Sequence, residues 1–277
     1  MARAGTMVPA AVLILLLSLT GGCAIAPNPV DVEAVAEFNA LNDPAEPANR
    51  AVFDVNRGLD AAVLKPVATI YRDNMPVFIQ HRITAVLDNL RAPVTFVNDV
   101  LQGELERAVN TVIRFVLNSS LGILGLNDIA TDMGIDGHDE DFGQTLAVWG
   151  VSSGPYVMLP LFGPSNPRDA IGMAVDFLFD PFSAWASRTG RDFAVYARSS
   201  TRAVDLRATH MDNLDNLEKS SLDFYASIRS LYRQRRAGEI NNGDPSANLP
   251  APGFGPGVSR APSGDTTLET KEAPRTQ

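Results

Sequence analysis

A run of 24 residues without a charged side chain, 144–167, constrains the fold of this chain more than any other feature of its sequence. The run is long enough to cross a bilayer, which takes about 20 residues as a helix. Glycine and proline interrupt it at Gly150, Gly154, Pro155, Pro160, Gly163 and Pro164. These residues break or weaken a continuous helix, so a straight transmembrane helix is not expected. Two alternatives stay open: a buried irregular core loop, and a hairpin that faces a membrane.

The N-terminus has the parts of a bacterial export signal. Arg3 is the only charge in the first thirty residues, and an apolar stretch, 8–19, follows it. Two glycines precede Cys23 as in a lipobox, although Thr20 stands where leucine is usual. We predict a signal peptide over 1–22 and a lipid anchor on Cys23, with an ordinary signal peptide as the alternative. Because Cys23 is the only cysteine, internal disulfides are excluded.

The net charge and the choice of basic residues limit the kinds of ligand that the protein could bind. The net charge is −9, which disfavours nucleic acid as a ligand. Arginine outnumbers lysine by twenty to three. This bias suits bidentate recognition of phosphate, or it reflects codon usage, and both explanations remain open.

Helical periodicity dominates between a polar tether, 23–42, and a tail rich in proline, glycine and serine, 237–277, which is expected to be disordered. No segment alternates apolar and polar residues over a useful length, so 43–236 is predicted to be a single all-α domain. The clearest helix spans Leu105 to Ser120. Its apolar stripe consists of Leu105, Val109, Val112, Ile113, Val116 and Leu117.

Capping residues and prolines set the expected helix limits. The predicted N-caps are Asp43, Asn127, Asn166 and Asp180. One helix is expected from about Pro66 to before Pro76, and the next is expected to end at Pro93. The last helical region, from about Asp192 to Arg236, either packs on the domain or lies near phospholipid headgroups. The arginines at its end are Arg229, Arg233, Arg235 and Arg236.

The sequence lacks the motifs of the common hydrolases and metalloenzymes. Its histidines, His81, His138 and His210, are scattered without metal-ligand spacing, and there is no G-x-S-x-G elbow. The polar run 138–141 could bind a divalent cation, or it could be a solvated loop with acids at a helix N-terminus. We predict no enzyme activity, no metal and no cofactor.

A series of segments carries a family resemblance, and together they cover nearly all of 43–236. They are DPAEPANRAVFDVNRGLD (43–60), KPVATIYRDNMP (65–76), VNDVLQGE (97–104), RFVLNSSLGILGLNDIA (114–130), EDFGQTLAVWGVSSGPYVMLPLFGP (140–164), NPRDAIG (166–172) and SLDFYASIRSLYRQRR (221–236). With them the chain resembles the MlaA/VacJ family of outer-membrane lipoproteins, which maintain lipid asymmetry. Ala147 stands where glycine is expected and Ala85 where asparagine is expected.

The resemblance implies a fold and a function. The domain would be a membrane-embedded helical ring around an amphipathic channel, in the outer membrane of a Gram-negative bacterium, lipid-anchored and facing the periplasm. Phospholipid misplaced in the outer leaflet would pass through the channel to a periplasmic lipid-binding carrier, and a trimeric porin would be a partner. Ala24, after Cys23, fits outer-membrane sorting.

The uncharged run 144–167 would line or gate this lipid path as a Pro/Gly-broken apolar hairpin. The candidate residues are Trp149, Gly154, Pro155, Tyr156, Leu159, Pro160 and Phe162. Two rival functions remain at this point. One is a structural envelope lipoprotein that associates with porins without moving lipid, and the other is a lipid-cleaving enzyme.

Overall fold

A computed structural model describes residues 41–242 of the chain. The predicted signal peptide, the anchor Cys23, nearly all of the tether and most of the tail lie outside the described residues. The helices are α1 (Glu46–Leu59), α2 (Lys65–Asn74), α3 (Val77–Gln102), α4 (Leu105–Ser120), α5 (Ile129–Asp132), α6 (Phe142–Val148), α7 (Pro167–Phe179), α8 (Pro181–Arg188), α9 (Asp192–Thr209), α10 (Met211–Ser220) and α11 (Phe224–Ile240). Two short strands, β1 (Val157–Leu159) and β2 (Gly163–Ser165), interrupt them. The expectation of a mostly helical domain is confirmed.

A π-helical turn, Asp60–Leu64, joins α1 to α2. The Lys65 N–H donates to the carbonyl of Asp60, five residues earlier, so one extra residue is accommodated in the helix. Arg207 of α9 binds the Asp60 carboxylate at 2.8 Å and holds this turn against its neighbour. The second helix ends at Asn74, before Pro76, as predicted.

The prediction that Pro93 ends a helix is wrong. Pro93 lies inside α3, which continues to Gln102 and stops at Gly103 in a left-handed conformation (φ 83°). Proline removes one backbone hydrogen bond. The residues beyond it compensate through tertiary contacts, because Asn98 and Asp99 are both buried and hydrogen bonded.

Two of the four predicted N-caps are confirmed. Asn166 accepts a hydrogen bond from the Asp169 N–H and Asp180 from the Ser183 N–H. The cap of α5 is Asp128 and not Asn127.

Asp43 is also not a cap, because α1 starts at Glu46 behind Ala45. The Asp43 carboxylate is instead buried against Asn49 of α1 and two partners distant in the sequence, Tyr225 and Arg229. An ion pair with Arg229 stabilises the buried charge in a way that a helix start alone could not.

Glycines allow α6 and α7 to pack closely. A Cβ atom on Gly172 would lie 2.2 Å from the Gly143 nitrogen, closer than two such atoms can approach. The contact brings the N-terminus of α6 to the middle of α7. The C-terminal helix α11 contacts both α6 and β2, and so closes the packing around the 144–167 segment.

Candidate functional site

Helix α4 turns its apolar stripe away from the protein. Leu105, Val109 and Val116 are exposed, while Thr111 and Asn118 on the opposite face are buried. In a water-soluble helix the apolar stripe faces the core, so this arrangement is inverted. The stripe predicted from the sequence exists, but it faces outward.

The apolar exterior extends well beyond α4. Exposed apolar side chains on α3, on the loop after α4, on α6 and on α7 include Phe96, Val97, Val100, Leu121, Ile123, Leu124, Val148, Ile171, Phe177, Leu178 and Phe179. A soluble monomer rarely exposes so many large apolar residues, and such a surface marks contact with a membrane or a partner. We call this set, with the exposed residues of α4, the apolar exterior.

The interior is correspondingly polar. Among residues 41–242, the largest fully buried side chains are Glu140, Asn98, Thr145 and Asp99. Asp99 is 0% exposed and accepts from Thr111 Oγ1 at 2.6 Å and from His138 Nε2 at 2.9 Å. Buried polar groups are tolerated only when they are hydrogen bonded, and these are.

A second part of the polar interior surrounds the start of α6. Glu140 accepts from Arg107 at 2.6 Å and from Gln102 at 2.9 Å. Burial nevertheless raises the pKa of Glu140, although Gln102 and Arg107 act to lower it. The loss of hydration therefore outweighs the two hydrogen bonds.

Asp141 shows the opposite balance. It caps α6 by accepting from the Gln144 N–H, and Arg236 binds both of its oxygens at 2.6 and 2.7 Å. Burial acts to raise its pKa, but the hydrogen bonds and charge of Arg236, together with the Gln144 N–H and the charge of Arg91, outweigh burial and hold the pKa at about 2. Arg236 also contacts Asp169 at 2.8 Å, so one guanidinium joins α11, α6 and α7.

These contacts bear on two regions for which the sequence left alternatives open. The run 138–141 is not a solvated loop, because Glu140 is buried and His138 binds Asp99; only the acid at a helix N-terminus, Asp141, matches the prediction. Arg229 and Arg236 are buried in ion pairs, so at these two residues the C-terminal helix packs on the domain, the first of the two alternatives. Within the described part of the chain, no group of three or more acidic, histidine or cysteine side chains could hold a metal ion.

A cavity of about 390 Å³ lies between α3, α4, the chain from Asp128 to Asp139, and Arg202 of α9. Its volume is in the range of small-molecule sites, about 300–1,000 Å³. Ala85, Ala92 and Phe115 supply apolar surface to its lining. Most of the lining residues are polar or charged: Asp88, Asn89, Thr95, Thr111, Arg114, Asn118, Asp128, Thr131, His138, Asp139 and Arg202. The apolar exterior and this polar cavity lie on opposite faces of the same helix, α4.

Of the residues that line the cavity, only His138 and Asp139 belong to a site predicted from the sequence, the possible cation site 138–141. A signal for the cavity residues of α4 was also present. The positions 107, 111, 114 and 118 follow the helical spacing i, i+4, i+7, i+11 and hold Arg, Thr, Arg and Asn. They form a polar stripe opposite the apolar one. An apolar and a polar stripe on one helix do not reveal which of the two faces inward.

The cavity does not have the geometry of a nucleophilic enzyme. Thr111, His138 and Asp99 lie together, as a hydroxyl, an imidazole and a carboxylate do in a catalytic triad. A triad uses the two ring nitrogens in turn, one for the hydroxyl and one for the acid. Here both contacts converge on His138 Nε2, at 3.2 Å from Thr111 and 2.9 Å from Asp99. These three groups therefore act as a structural cluster.

The seven residues nominated from the sequence lie elsewhere, around the β1–β2 hairpin. Among the described residues that line the cavity, none belongs to this set. Tyr156 is buried in an apolar cluster with Val52, Met158 and Tyr225. Trp149 is exposed, and its indole N–H donates to the Leu101 carbonyl at 2.9 Å.

The remaining nominated residues form the approach to the hairpin tip and the tip itself. Gly154 has a φ of 71° and its carbonyl accepts from Asn42 at 2.7 Å. Pro155, Leu159 and Pro160 are half-buried. Phe162 is 69% exposed beside Leu161, which is 77% exposed, so the apolar tip projects from the surface. Between 41 and 242, no helix has both the length and the apolar character required to cross a membrane.

Comparison with known proteins gives a consistent result. A model of the family described as MlaA lipoprotein matches residues 41–239. The chain is 32% identical over 236 residues to the intermembrane phospholipid transport system lipoprotein MlaA of Haemophilus influenzae, covering 83% of this chain and 89% of that protein. It is 31% identical over 209 residues to the protein of the same description in Escherichia coli, covering 73% and 80%.

A solved structure is also similar. It is described as the structural basis for maintenance of bacterial outer membrane lipid asymmetry, and it shares 33% identity with this chain at a TM-score of 0.65. The match covers 72% of this chain and 99% of that one.

Proposed function

The chain belongs to the MlaA lipoprotein family, and on that premise we propose that it is an outer-membrane lipoprotein of a Gram-negative bacterium that removes mislocalised phospholipid from the outer leaflet. The lipid would pass through an amphipathic channel in the protein to a periplasmic lipid-binding carrier. The protein would maintain lipid asymmetry without making or breaking a covalent bond.

The inverted helix α4 carries this proposal. Its apolar face is exposed and its polar face lines a cavity. Exposed apolar residues are stabilised by contact with lipid chains, whereas in water they would favour aggregation. Polar groups in a hydrocarbon environment must be satisfied internally, and the buried network of Asp99, Thr111 and His138 meets that requirement.

The same arrangement suits the transfer of a phospholipid. A charged headgroup is costly to place in hydrocarbon, and this cost is the barrier to flipping. A polar cavity inside an apolar exterior lowers the barrier, because the headgroup meets hydrogen-bonding groups while the acyl chains meet apolar ones. Leu161 at the apolar hairpin tip is proposed to border the lipid path together with the seven nominated residues, which include its neighbour Phe162.

Anchoring and partners complete the proposal. Cys23 would carry the lipid after removal of 1–22, and the tether 23–42 would lead to the domain 43–236. Helix α11 continues to Ile240, so only the part of the predicted tail 237–277 after this helix would remain outside the fold. A ring-shaped arrangement embedded in the inner leaflet and association with a trimeric porin are part of the family hypothesis. The protein has no energy source in this scheme, so the carrier and the lipid gradient would set the direction.

Deletion of the protein tests the proposal. We expect phospholipid to accumulate in the outer leaflet and cells to become sensitive to detergent with a divalent chelator. Purified full-length protein is expected to carry intact phospholipid and to release no fatty acid. Unchanged outer-leaflet phospholipid in a deletion strain without a redundant pathway would contradict the transport function, and steady fatty acid release would contradict the non-enzymatic one.

A structural envelope lipoprotein that binds porin without moving lipid is the alternative. The charged cavity favours transport over this alternative, because a purely structural role gives no reason for a polar site of about 390 Å³. Purified protein without any bound phospholipid, together with normal porin association, would favour the alternative.

A further inference from the structure

The most exposed charged side chains of the cavity are carboxylates. Asp88 and Asp139 are 54% and 59% exposed in their side chains, whereas Arg202 between them is 29% exposed. Arg202 contacts Asp88 at 2.6 Å and lies 4.0 Å from Asp139. Arg91 neutralises Asp139 from outside the lining at 2.8 Å. The two most exposed charged groups of the lining are therefore carboxylates, each already paired with one arginine.

The other charged pair of the cavity is already satisfied. Arg114 binds both oxygens of Asp128, at 2.8 and 3.0 Å, and Asn118 and Thr131 donate to the same carboxylate. The acceptor positions of the Asp128 carboxylate are therefore occupied by donors from the protein. The recognition of a ligand is left to Asp88, Asp139 and Arg202.

A neighbouring group lacks a hydrogen-bond donor. Asn89 lines the cavity and is 8% exposed, and its side-chain oxygen has no partner while its nitrogen donates to Ser119 at 3.0 Å. Its backbone carbonyl also loses the usual helical donor, because residue 93 is proline. Unsatisfied buried acceptors are rare and call for a donor.

We propose that this cavity binds the headgroup of a zwitterionic, ammonium-bearing phospholipid in preference to an anionic one. The proposal rests on the proposed lipid transport and adds a headgroup preference to it. The ammonium would contact the exposed oxygens of Asp88 and Asp139, with the Asn89 oxygen as a further acceptor in the same lining, and the phosphate would contact Arg202, which lies between the two carboxylates. An anionic headgroup without an ammonium offers no cation to the two carboxylates and is disfavoured by them.

The electrostatics of Asp88 agree with this assignment. Burial raises its pKa, Arg202 opposes this, and the charges of Asp139 and Asp205 add to the increase. Its ionised form is therefore incompletely compensated by the protein. A bound ammonium would supply the missing positive charge.

The test uses full-length protein in mild detergent, equilibrated with vesicles of equal parts phosphatidylethanolamine and phosphatidylglycerol. Bound lipid is identified by native mass spectrometry. We expect enrichment of phosphatidylethanolamine on the order of tenfold, the effect of a single well-placed charge interaction. The double variant Asp88→Asn/Asp139→Asn is expected to bind both lipids about equally, with Asp212→Asn as a matched control on α10 that leaves the enrichment unchanged.

The outcomes separate this inference from the transport function. Lipid bound in normal amounts without enrichment, or enrichment that survives the double variant, overturns the headgroup preference alone. Wild-type protein that binds no lipid overturns both proposals. Because Asp139 is largely exposed, the single variant Asp139→Asn serves if circular dichroism shows that the double variant is unfolded, and a reduced enrichment is again expected.

A final arm distinguishes the lipid from its soluble headgroup. Glycerophosphoethanolamine is added to the lipid-loaded protein as a competitor. We expect it to displace phosphatidylethanolamine only weakly, because it lacks the acyl chains. Displacement as effective as that by the lipid itself would show a small-molecule site and overturn the proposal.

Discussion

Asn49 and Asn56 lie about two helical turns apart on one face of α1, and both bind the backbone of the same hairpin. The Asn49 amide donates to the Tyr156 carbonyl at 3.0 Å and accepts from the Met158 N–H at 2.9 Å. Asn56 repeats the pattern, donating to the Leu159 carbonyl at 2.9 Å and accepting from the Leu161 N–H at 2.8 Å. The two side chains thus hold strand β1 as a neighbouring strand would.

Replacement of Asn56 tests this attachment. Asn56→Ala removes both hydrogen bonds near the hairpin tip, and each such bond is worth about 1 kcal/mol. We expect faster hydrogen exchange of the Leu161 amide with little change in overall helicity. Asn49→Ala is expected to destabilise the whole fold by about 1–3 kcal/mol, because it leaves buried partners unsatisfied. An unchanged Leu161 exchange rate in Asn56→Ala would contradict the attachment.

The contact between α6 and α7 predicts a sharp glycine effect. Gly172→Ala places a methyl group 2.2 Å from the Gly143 nitrogen, and backbone must move to relieve it. We expect a loss of about 1–3 kcal/mol in the free energy of unfolding, as for other overpacked sites. Gly58→Ala in α1 is the matched control, since nothing lies within 4 Å of the added atom. Gly58→Ala should stabilise the protein by about 0.5–1 kcal/mol, because alanine favours the helix more than glycine does. Both free energies are measured by denaturant unfolding, and equal effects of the two changes would refute the close contact.

The pKa of Asp141 predicts a pH dependence of stability. Because its folded pKa, about 2, is below the ordinary value of 3.8, the charged form contributes stability above pH 4 and loses it as the pH falls towards 2. Asp141→Asn should therefore cost on the order of 2 kcal/mol at neutral pH. The difference between wild type and variant should shrink between about pH 4 and pH 2 in thermal unfolding. A difference that stays constant over this range would show that Arg236 does not stabilise the carboxylate. Asp212→Asn, on the exposed surface, is the control.

The apolar exterior predicts how charge affects membrane association. Val109 is 57% exposed, so Val109→Asp should leave helicity and solubility in detergent intact. In a bilayer the new charge costs about 2.5–3.5 kcal/mol at the membrane centre. We therefore expect binding to vesicles to fall roughly tenfold or more. Vesicle binding is measured by co-flotation. The control Asn216→Asp adds the same charge on the polar helix α10 and should leave vesicle binding unchanged. If the two variants bind vesicles equally well, Val109 does not contact lipid.

Local sequence determined the helices of this protein well, and the reason is that their signals are local. The apolar positions from Leu105 to Ser120 give α4 with its observed limits, and Asn166 and Asp180 cap α7 and α8 as their side chains predict. The absence of a continuous helix across 144–167 also follows from its glycines and prolines. Each of these features depends on residues a few positions apart.

Tertiary structure decided which face of each helix points inward. An apolar stripe is stabilised equally by a protein core or by lipid. The spacing of Val109, Val112 and Val116 is therefore compatible with either environment. Only the packing of the helices shows that the polar stripe of α4 lines the cavity. Packing also overrides local rules, since α3 continues through Pro93 where its later residues are held by buried hydrogen bonds. Asp43 is the clearest case: its capping signal is local, but an arginine 186 residues away offers a buried charge a stronger partner than a backbone amide.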